Sequence, residues 1–142
     1  MNSEPFCEIY PRRCINIAYR KAIPIAIRRL VLQRGKCEYP DCHKDGVEIH
    51  HIVPYALSED NSEANLLLLC KQHHFVCQAF PRFSPQPDTD ILCDVCARNG
   101  VSVYAKWSYS LFSQRAIFHC RPCHTRWMQL IYKYKKYHQK VK

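Results

Sequence analysis

Cysteine and histidine side chains come in four short pairs, and this spacing constrains the fold more than any other feature of the sequence. Two such pairs, each on its own turn and joined by a loop, assemble a tetrahedral zinc site with four sulfur or nitrogen ligands. The first predicted set of ligands is Cys37, Cys42, Cys70 and His73. The second predicted set is Cys93, Cys96, Cys120 and Cys123. The sequence therefore predicts two structural Zn²⁺ sites.

The other cysteines leave alternatives open. Cys77 is either a core residue on the helix after the first site or an alternative zinc ligand. Cys7 and Cys14 are separated by six residues, an uncommon spacing for a chelating pair, so a third zinc site is the less favoured interpretation. The N-terminus lacks the basic and long apolar regions of a signal peptide, so we expect an intracellular protein, cytoplasmic or nucleoid-associated, with reduced cysteines.

A proline-rich stretch divides the chain into two predicted modules. The 142 residues suffice for one domain or for two small modules that each need additional stabilisation, and residues 80–91 contain three prolines. The expected organisation is a basic N-terminal segment with a helix (1–36), a first module (37–79), a linker (80–91) and a second zinc module with a basic C-terminal helix (92–142). No apolar run approaches the roughly 18 residues of a membrane-spanning helix, so no membrane association is expected.

Apolar spacing predicts a small, zinc-stabilised α+β protein. In the first half, Pro24 and Gly35 are typical of the beginning and end of a helix. The packed face of this helix would carry Ile27, Leu30 and Val31. Residues 47–53 predict a strand, and Pro54 ends its pairing.

The second module has its own pattern of strands and a helix. Asn99-Gly100 indicates a turn, and the alternation of apolar and polar residues over 101–111 predicts a strand. Residues 116–119 would form the return strand, and Pro122 would open a helix. The packed face of this helix would carry Trp127, Leu130, Ile131, Tyr134 and His138. With its two Cys-x2-Cys pairs, this module is predicted to be treble-clef-like.

Charge is unevenly distributed along the chain. Residues 1–36 hold 8 basic and 2 acidic residues, residues 37–94 hold 3 and 10, and residues 95–142 hold 10 and none. Basic flanks of this kind favour a polyanionic partner, most often nucleic acid, over a merely solubilising surface. The cations predicted to contact nucleic acid are Arg28, Arg29, Arg121, Arg126, Lys133, Lys135, Lys136 and Lys140.

Three histidines remain after the zinc ligands have been assigned. His50 and His51 end the predicted strand, and His74 follows the zinc ligand His73 at the start of a helix. Together they can form an open site that holds a hard metal ion with spare coordination positions. Such an ion can polarise a phosphate, and a neutral histidine beside it can take a proton from water.

These residues resemble the HNH (His-Asn-His) endonucleases over about residues 28–78. The resemblance lies in three segments: Arg-Gly-Lys-Cys37-x4-Cys42, then Glu-Ile-His50-His51-Ile-Val-Pro54, then Glu-Ala-Asn65-Leu-Leu-Leu-Leu-Cys70-x2-His73-His74. It implies a ββα-metal fold for the first module, in which a two-stranded hairpin and a helix hold one divalent ion.

The resemblance also implies a role for each matching residue. His51 would be the general base that activates water, and Asn65 would brace the hairpin loop and orient His51. His50 and His74 would hold the catalytic ion. That ion would be Mg²⁺ or Mn²⁺, and the expected reaction is hydrolysis of a phosphodiester in DNA, or in RNA, to 5′-phosphate and 3′-hydroxyl ends.

The second module lacks a His-His-x-x-Pro segment between its cysteine pairs, so it is predicted to bind nucleic acid without catalysis. The leading hypothesis is a metal-dependent endonuclease, with a protein partner or a second copy of the chain as a further source of specificity. The alternative is a non-catalytic, zinc-containing component of a larger nucleoprotein or ribonucleoprotein assembly built on the same scaffold.

Overall fold

The computed structural model describes residues 22–86, 90–110 and 116–140, with the side chain of Lys140 left out. The predictions for Cys7, Cys14 and Leu111 lie outside these ranges. The helices are α1 (Ile25–Leu32), α2 (Tyr55–Ser58), α3 (Lys71–Ala79), α4 (Asp94–Ala97) and α5 (Arg121–Lys140). The strands are β1 (Glu48–His51), β2 (Leu66–Leu69), β3 (Phe83–Pro85), β4 (Trp107–Ser110) and β5 (Ala116–His119). Together they form a small α+β protein.

The first module is a hairpin packed between two helices. Strands β1 and β2 pair antiparallel from Glu48↔Leu69 to His51↔Leu66. Val31 on α1 is buried with Leu66 and Leu68 on one side of this hairpin. Helix α1 begins after Pro24, as predicted, whereas Leu30, predicted to be on its packed face, is 48% exposed. Helix α3 contacts both strands and starts directly after β2.

The predicted first strand, 47–53, is shorter in the structure. Pairing covers Glu48–His51, and Val47 is 55% exposed. At the other end, Pro54 caps α2, so the chain turns into a helix immediately after the two histidines. Both histidines are buried, with His50 against His74 on α3 and His51 against Tyr55 on α2.

The second module is a three-stranded antiparallel sheet, in the order β3-β4-β5, followed by α5. Strand β4 covers Trp107–Ser110 rather than the whole predicted range 101–111, and β5 is the expected return strand. Strand β3 lies within residues 80–91, which were predicted to be a linker, so part of that segment belongs to the sheet of the second module. Pro85 is tolerated because β3 is an edge strand. The ring of Phe83 packs between Tyr109 and Trp127.

One hydrophobic core joins the two modules. It contains Val53 and Leu57 from the first module together with Tyr109, Trp127 and Ile131 from the second. Helix α5 contacts both α2 and α3. The second module therefore forms a wall of the first, which matters because the same contact encloses the candidate site. No helix in the described parts of the chain is long and apolar enough to cross a membrane.

Candidate active site and metal centres

The first predicted zinc set comes together in the structure. The ligand atoms of Cys37, Cys42, Cys70 and His73 all lie within 4.8 Å of one another. The Nδ1 atom of His73 lies 3.4 Å from the Sγ atom of Cys70, at the N-terminus of α3, and 3.6 Å from that of Cys37. The Tyr39 ring stacks on the His73 ring with 4.0 Å between centroids, which fixes the orientation of the imidazole. Three thiols and one imidazole are a donor set that suits zinc.

The second predicted set also converges. Its four cysteines, Cys93, Cys96, Cys120 and Cys123, are buried and their sulfur atoms lie within 4.8 Å of one another. Cys93 caps α4, where its sulfur accepts a hydrogen bond from the backbone amide of Cys96. The Asp94 carboxylate accepts a 2.8 Å hydrogen bond from the backbone amide of Phe118, which ties α4 to β5. Both clusters can bind zinc, and all these cysteines are free thiols rather than disulfides.

A third group of side chains lies between β1 and α3. His50, on β1, is 5% exposed, and neither of its ring nitrogens has a hydrogen-bond partner within the described part of the chain. Burial, with the nearby charges of His74 and His51, lowers the pKa of His50 to about 3, so the ring is neutral at pH 7. A buried neutral imidazole with unpartnered nitrogens is costly unless it binds something. The residue thus has the chemistry of a metal ligand.

His74 faces His50 from the first turn of α3. The two rings meet edge to face with 5.3 Å between centroids. The Nδ1 atom of His74 contacts the carboxylate of Glu48, two residues before His50 on β1. Because this contact occupies Nδ1, the Nε2 atom of His74 is left to bind an ion, as in many carboxylate–histidine–metal arrangements. Glu48 was not predicted as a site residue. Side chains two residues apart on a strand lie on the same face, so its position two residues before His50 is the sequence signal that could have identified it.

His51 is positioned by a second asparagine rather than by the predicted one. The Nε2 atom of His51, which is 8% exposed, lies 2.8 Å from Oδ1 of Asn61. The Nδ2 group of Asn61 donates to the carbonyl of Ala22, which fixes the orientation of the amide. An amide oxygen only accepts, so this contact favours the tautomer of His51 with its hydrogen on Nε2, in which Nδ1 is the basic nitrogen.

Asn65 holds the loop instead. Its Oδ1 atom accepts a 3.0 Å hydrogen bond from the amide of Val53, and its Nδ2 group donates to the carbonyls of Val53 and Asp60. The predicted bracing role matches these contacts, whereas the amide oxygen that contacts His51 belongs to Asn61. The resemblance assigned both roles to Asn65, and nothing in the sequence around Asn61 indicated its contact with His51.

The loop that carries Asn61 is also fixed from the second module. The Nη1 atom of Arg98, just after α4, donates a 2.7 Å charged hydrogen bond to Oδ2 of Asp60. The other oxygen of Asp60 accepts from the amide of Ser62. Burial alone would raise the pKa of Asp60, but the hydrogen bonds from Ser62 and the charge of Arg98 outweigh it and lower that pKa. The second module thus contacts the loop that carries Asn61 through an ion pair.

Most of the side chains predicted to contact nucleic acid are exposed. They are Arg28 and Arg29 on α1, and Arg121, Lys133 and Lys136 on α5. Lys135 is half-buried, with its ammonium 4.4 Å from the centre of the Phe80 ring.

The prediction that Arg126 contacts nucleic acid does not agree with its burial. The residue is 5% exposed, so it is part of the interior beside Trp127 and cannot reach a backbone phosphate from this position. The helical spacing placed it on the basic face, but α5 is buried along a wider stripe near its N-terminus because the cysteine cluster and the sheet cover it there.

Comparison with known families agrees with this geometry. Residues 36–73 match the family described as HNH endonuclease. The matched segment contains the first cysteine–histidine cluster, both strands of the hairpin, His50, His51 and Asn65. It ends one residue before His74. Comparison with the curated proteins and with the solved structures gives no match.

Proposed function

We propose that this chain is a metal-dependent endonuclease that hydrolyses phosphodiester bonds in DNA. The observation that carries the proposal is the convergence of three histidines at the hairpin–helix junction, within a segment that matches the HNH endonuclease family. The rings of His50 and His74 meet edge to face, and His51, which contacts Asn61, lines the same cavity.

The residues divide the chemistry between them. His50 and His74 would hold one divalent ion, Mg²⁺ or Mn²⁺, with Glu48 fixing the orientation of His74. Such an ion supplies positive charge that polarises the phosphate and stabilises the leaving oxygen. The Nδ1 atom of His51 takes a proton from a water molecule, whose oxygen forms a bond to phosphorus as the bond to the 3′ oxygen breaks, and the leaving 3′ oxygen takes a proton from solvent. The products are a 5′-phosphate and a 3′-hydroxyl end.

The two cysteine clusters are proposed to be structural. Each supplies four closely spaced sulfur or nitrogen donors and leaves no position for a substrate, which is the pattern of a structural zinc site. The exposed cations of α1 and α5 would hold the phosphate backbone on either side of the cut. A protein partner or a second copy of the chain remains a further proposal.

A plasmid-nicking assay tests the proposal. The wild-type protein is incubated with supercoiled DNA and Mg²⁺ or Mn²⁺, beside the His51→Ala variant and a metal-free control. We expect nicking by the wild type that His51→Ala reduces by about two orders of magnitude or more, because general-base catalysis is removed. Equal nicking by both proteins would contradict the role of His51.

The second candidate function is a non-catalytic nucleic-acid-binding component. The buried Cys93, Cys96, Cys120 and Cys123 cluster, followed by a cation-rich helix, favours it because that module has the parts for binding alone. Binding of nucleic acid by wild-type protein that nicks nothing with either ion, on single-stranded or double-stranded substrates, would favour this candidate.

A further inference from the structure

A cavity of about 410 Å³ lies between the two modules and begins at the three histidines of the proposed active site. We call it the interface cavity. The hairpin and α3 line it with His50, His51 and His74. Helix α5 lines it with Trp127, Leu130, Ile131 and Tyr134. The cavity therefore adjoins the place where the cleaved phosphodiester would lie, and much of its remaining lining is apolar.

The walls of the interface cavity suit an uncharged flat group. Among the described residues that line it, none is a lysine, arginine, aspartate or glutamate. Away from the histidines, the polar groups are the amide of Gln78 and tyrosine hydroxyls, including that of Tyr134, which stays protonated because burial and then the charge of Glu48 raise its pKa. A phosphate would find no cation there. An aromatic ring with hydrogen-bonding edges would find both apolar contact and polar partners.

We propose that the interface cavity binds one unpaired nucleobase of the substrate, next to the phosphodiester that is cut. The proposal rests on the nuclease function proposed above and narrows its substrate class. A base inside a duplex is stacked and paired, so it can enter a walled cavity only after it leaves the helix. A base that is already unpaired enters without that cost. The substrate would therefore be DNA with an unpaired nucleotide at the cleavage point, such as a single strand or a bulge.

Two of the rings that line the cavity are held in place by neighbouring rings. Tyr134 packs against Phe75 and His138, with centroid separations of 6.0 and 4.1 Å. Tyr55 lies edge to face against His51, 5.8 Å between centroids. Both tyrosines are half-buried, so part of each ring faces the cavity. Aromatic side chains fixed in this way bind bases by stacking with little dependence on sequence.

The distribution of charge agrees with this occupant. Exposed cations such as Lys133 and Lys136 lie on the outer surface of α5, whereas the inner face of the same helix lines the cavity with uncharged groups. Flanking phosphates would stay outside with the cations, and the base between them would turn inward. A single nucleotide meets both requirements, and a continuous duplex does not.

Cleavage of matched substrates is the first test. Three 5′-labelled DNAs of the same sequence are compared in Mn²⁺: a single strand, a perfect duplex, and a duplex with one bulged nucleotide. We expect kcat/KM to be about tenfold higher or more on the bulged strand than on the perfect duplex, with the cut next to the unpaired nucleotide. Equal cleavage of the perfect duplex would overturn the cavity proposal while leaving the nuclease function intact. Cleavage of none of the three would count against the nuclease function.

Binding tests the cavity without catalysis. The His51→Ala protein is titrated into the bulged duplex carrying 2-aminopurine at the unpaired position, and into a control with 2-aminopurine at a paired position far from it. We expect the emission to change on binding at the unpaired position alone. Leu130→Trp, which fills the cavity, should weaken this binding by about tenfold or more. Met128→Trp, exposed on the same helix, should not.

A second substitution covers the case in which the larger side chain disturbs folding. Gln78→Glu changes the charge in the cavity and hardly changes its volume. It should weaken binding of the bulged strand and leave binding of the perfect duplex as it was, with the zinc content unchanged. Unaltered 2-aminopurine emission in the first titration, or equal binding by Gln78→Glu and its parent, would overturn the proposal.

Discussion

Two asparagines in one loop have different tasks at the proposed active site. Asn65 makes three hydrogen bonds to the loop backbone, so it fixes the path of the chain. Asn61 contacts Nε2 of His51 and is itself held by the carbonyl of Ala22, just before α1. The orientation of His51 therefore depends on an amide that is anchored to a distant segment of the chain.

Asn61→Ala should lower kcat with little effect on KM. Without the amide oxygen, His51 is free to adopt the other tautomer and to rotate, so we expect a loss of about tenfold to a hundredfold in kcat. Asn61→Asp keeps an acceptor oxygen in place and should retain more activity than Asn61→Ala. Steady-state kinetics on a labelled oligonucleotide, with zinc content and circular dichroism as folding controls, measure this. Equal kcat for Asn61→Ala and wild type would contradict the positioning role.

Glu48→Gln should weaken binding of the catalytic ion without affecting zinc. The carboxylate contacts Nδ1 of His74 and makes that imidazole a stronger ligand. We expect the Mn²⁺ concentration at half-maximal activity to rise by about tenfold to a hundredfold, with activity recovered at high Mn²⁺. The matched control is Glu59→Gln, the same change at an exposed glutamate. Loss of activity that no Mn²⁺ concentration restores would argue against this explanation.

One helix connects each of the two cysteine clusters to the proposed active site. Helix α3 begins at Cys70, and the first turn of the same helix carries both His73 and His74. The first cluster therefore fixes the end of the helix that presents His74 to the hairpin. On the other side, Cys93 caps α4, and Arg98 just after that helix contacts Asp60 in the loop that carries Asn61.

Metal analysis checks the clusters themselves. The purified chain should contain about two zinc ions, because each cluster supplies four ligands. Cys96→Ser removes a fully buried ligand of the second cluster and should reduce the content to about one zinc ion, with a lower melting temperature. Cys77→Ser is the control, since Cys77 belongs to neither cluster. A zinc content unchanged by Cys96→Ser would contradict the second site.

Arg98→Ala should affect catalysis more than stability. The ion pair with Asp60 is partly exposed, so its loss should lower the free energy of unfolding by no more than about 1 kcal/mol. Its removal frees the loop that carries Asn61, so we expect a severalfold fall in kcat. Arg82→Ala, an exposed arginine in the described chain, provides the comparison. Kinetics and chemical denaturation of both variants distinguish the effects, and equal kcat values would contradict the coupling between modules.

At the scale of the whole molecule, the metal clusters were predictable because they follow from local spacing. Short pairs such as Cys37-x4-Cys42 are recognisable in the sequence and bring their ligands together wherever the chain folds. The proline at the start of α1 was informative for the same local reason. The start of α1 and each chelating pair depend on residues within a few positions of one another, although the two pairs of one cluster lie more than twenty residues apart.

The features that sequence did not reveal depend on contacts between distant residues. The ion pair from Arg98 to Asp60 spans 38 positions. Strand β3 forms because Phe83 enters the core of the second module, although prolines around it suggested a linker. Arg126 is buried because the cysteine cluster and sheet cover that end of α5. None of these contacts leaves a periodic signal in the sequence.

Arg126 is buried, whereas Lys133 and Lys136 are exposed. Substituting the lysines should therefore change phosphate binding, and substituting Arg126 should change stability. Exposed Lys133 and Lys136 are free to meet phosphates, so Lys133→Ala with Lys136→Ala should lower the slope of log affinity against log salt by about 1.4 for single-stranded DNA. Arg126→Met should leave that slope unchanged and lower the melting temperature instead. Fluorescence anisotropy of a labelled strand bound to His51→Ala protein, at several NaCl concentrations, measures the slopes.

An unchanged slope for the double variant would mean that phosphates lie elsewhere. A reduced slope for a stable Arg126→Met protein would mean that Arg126 leaves the interior to bind them.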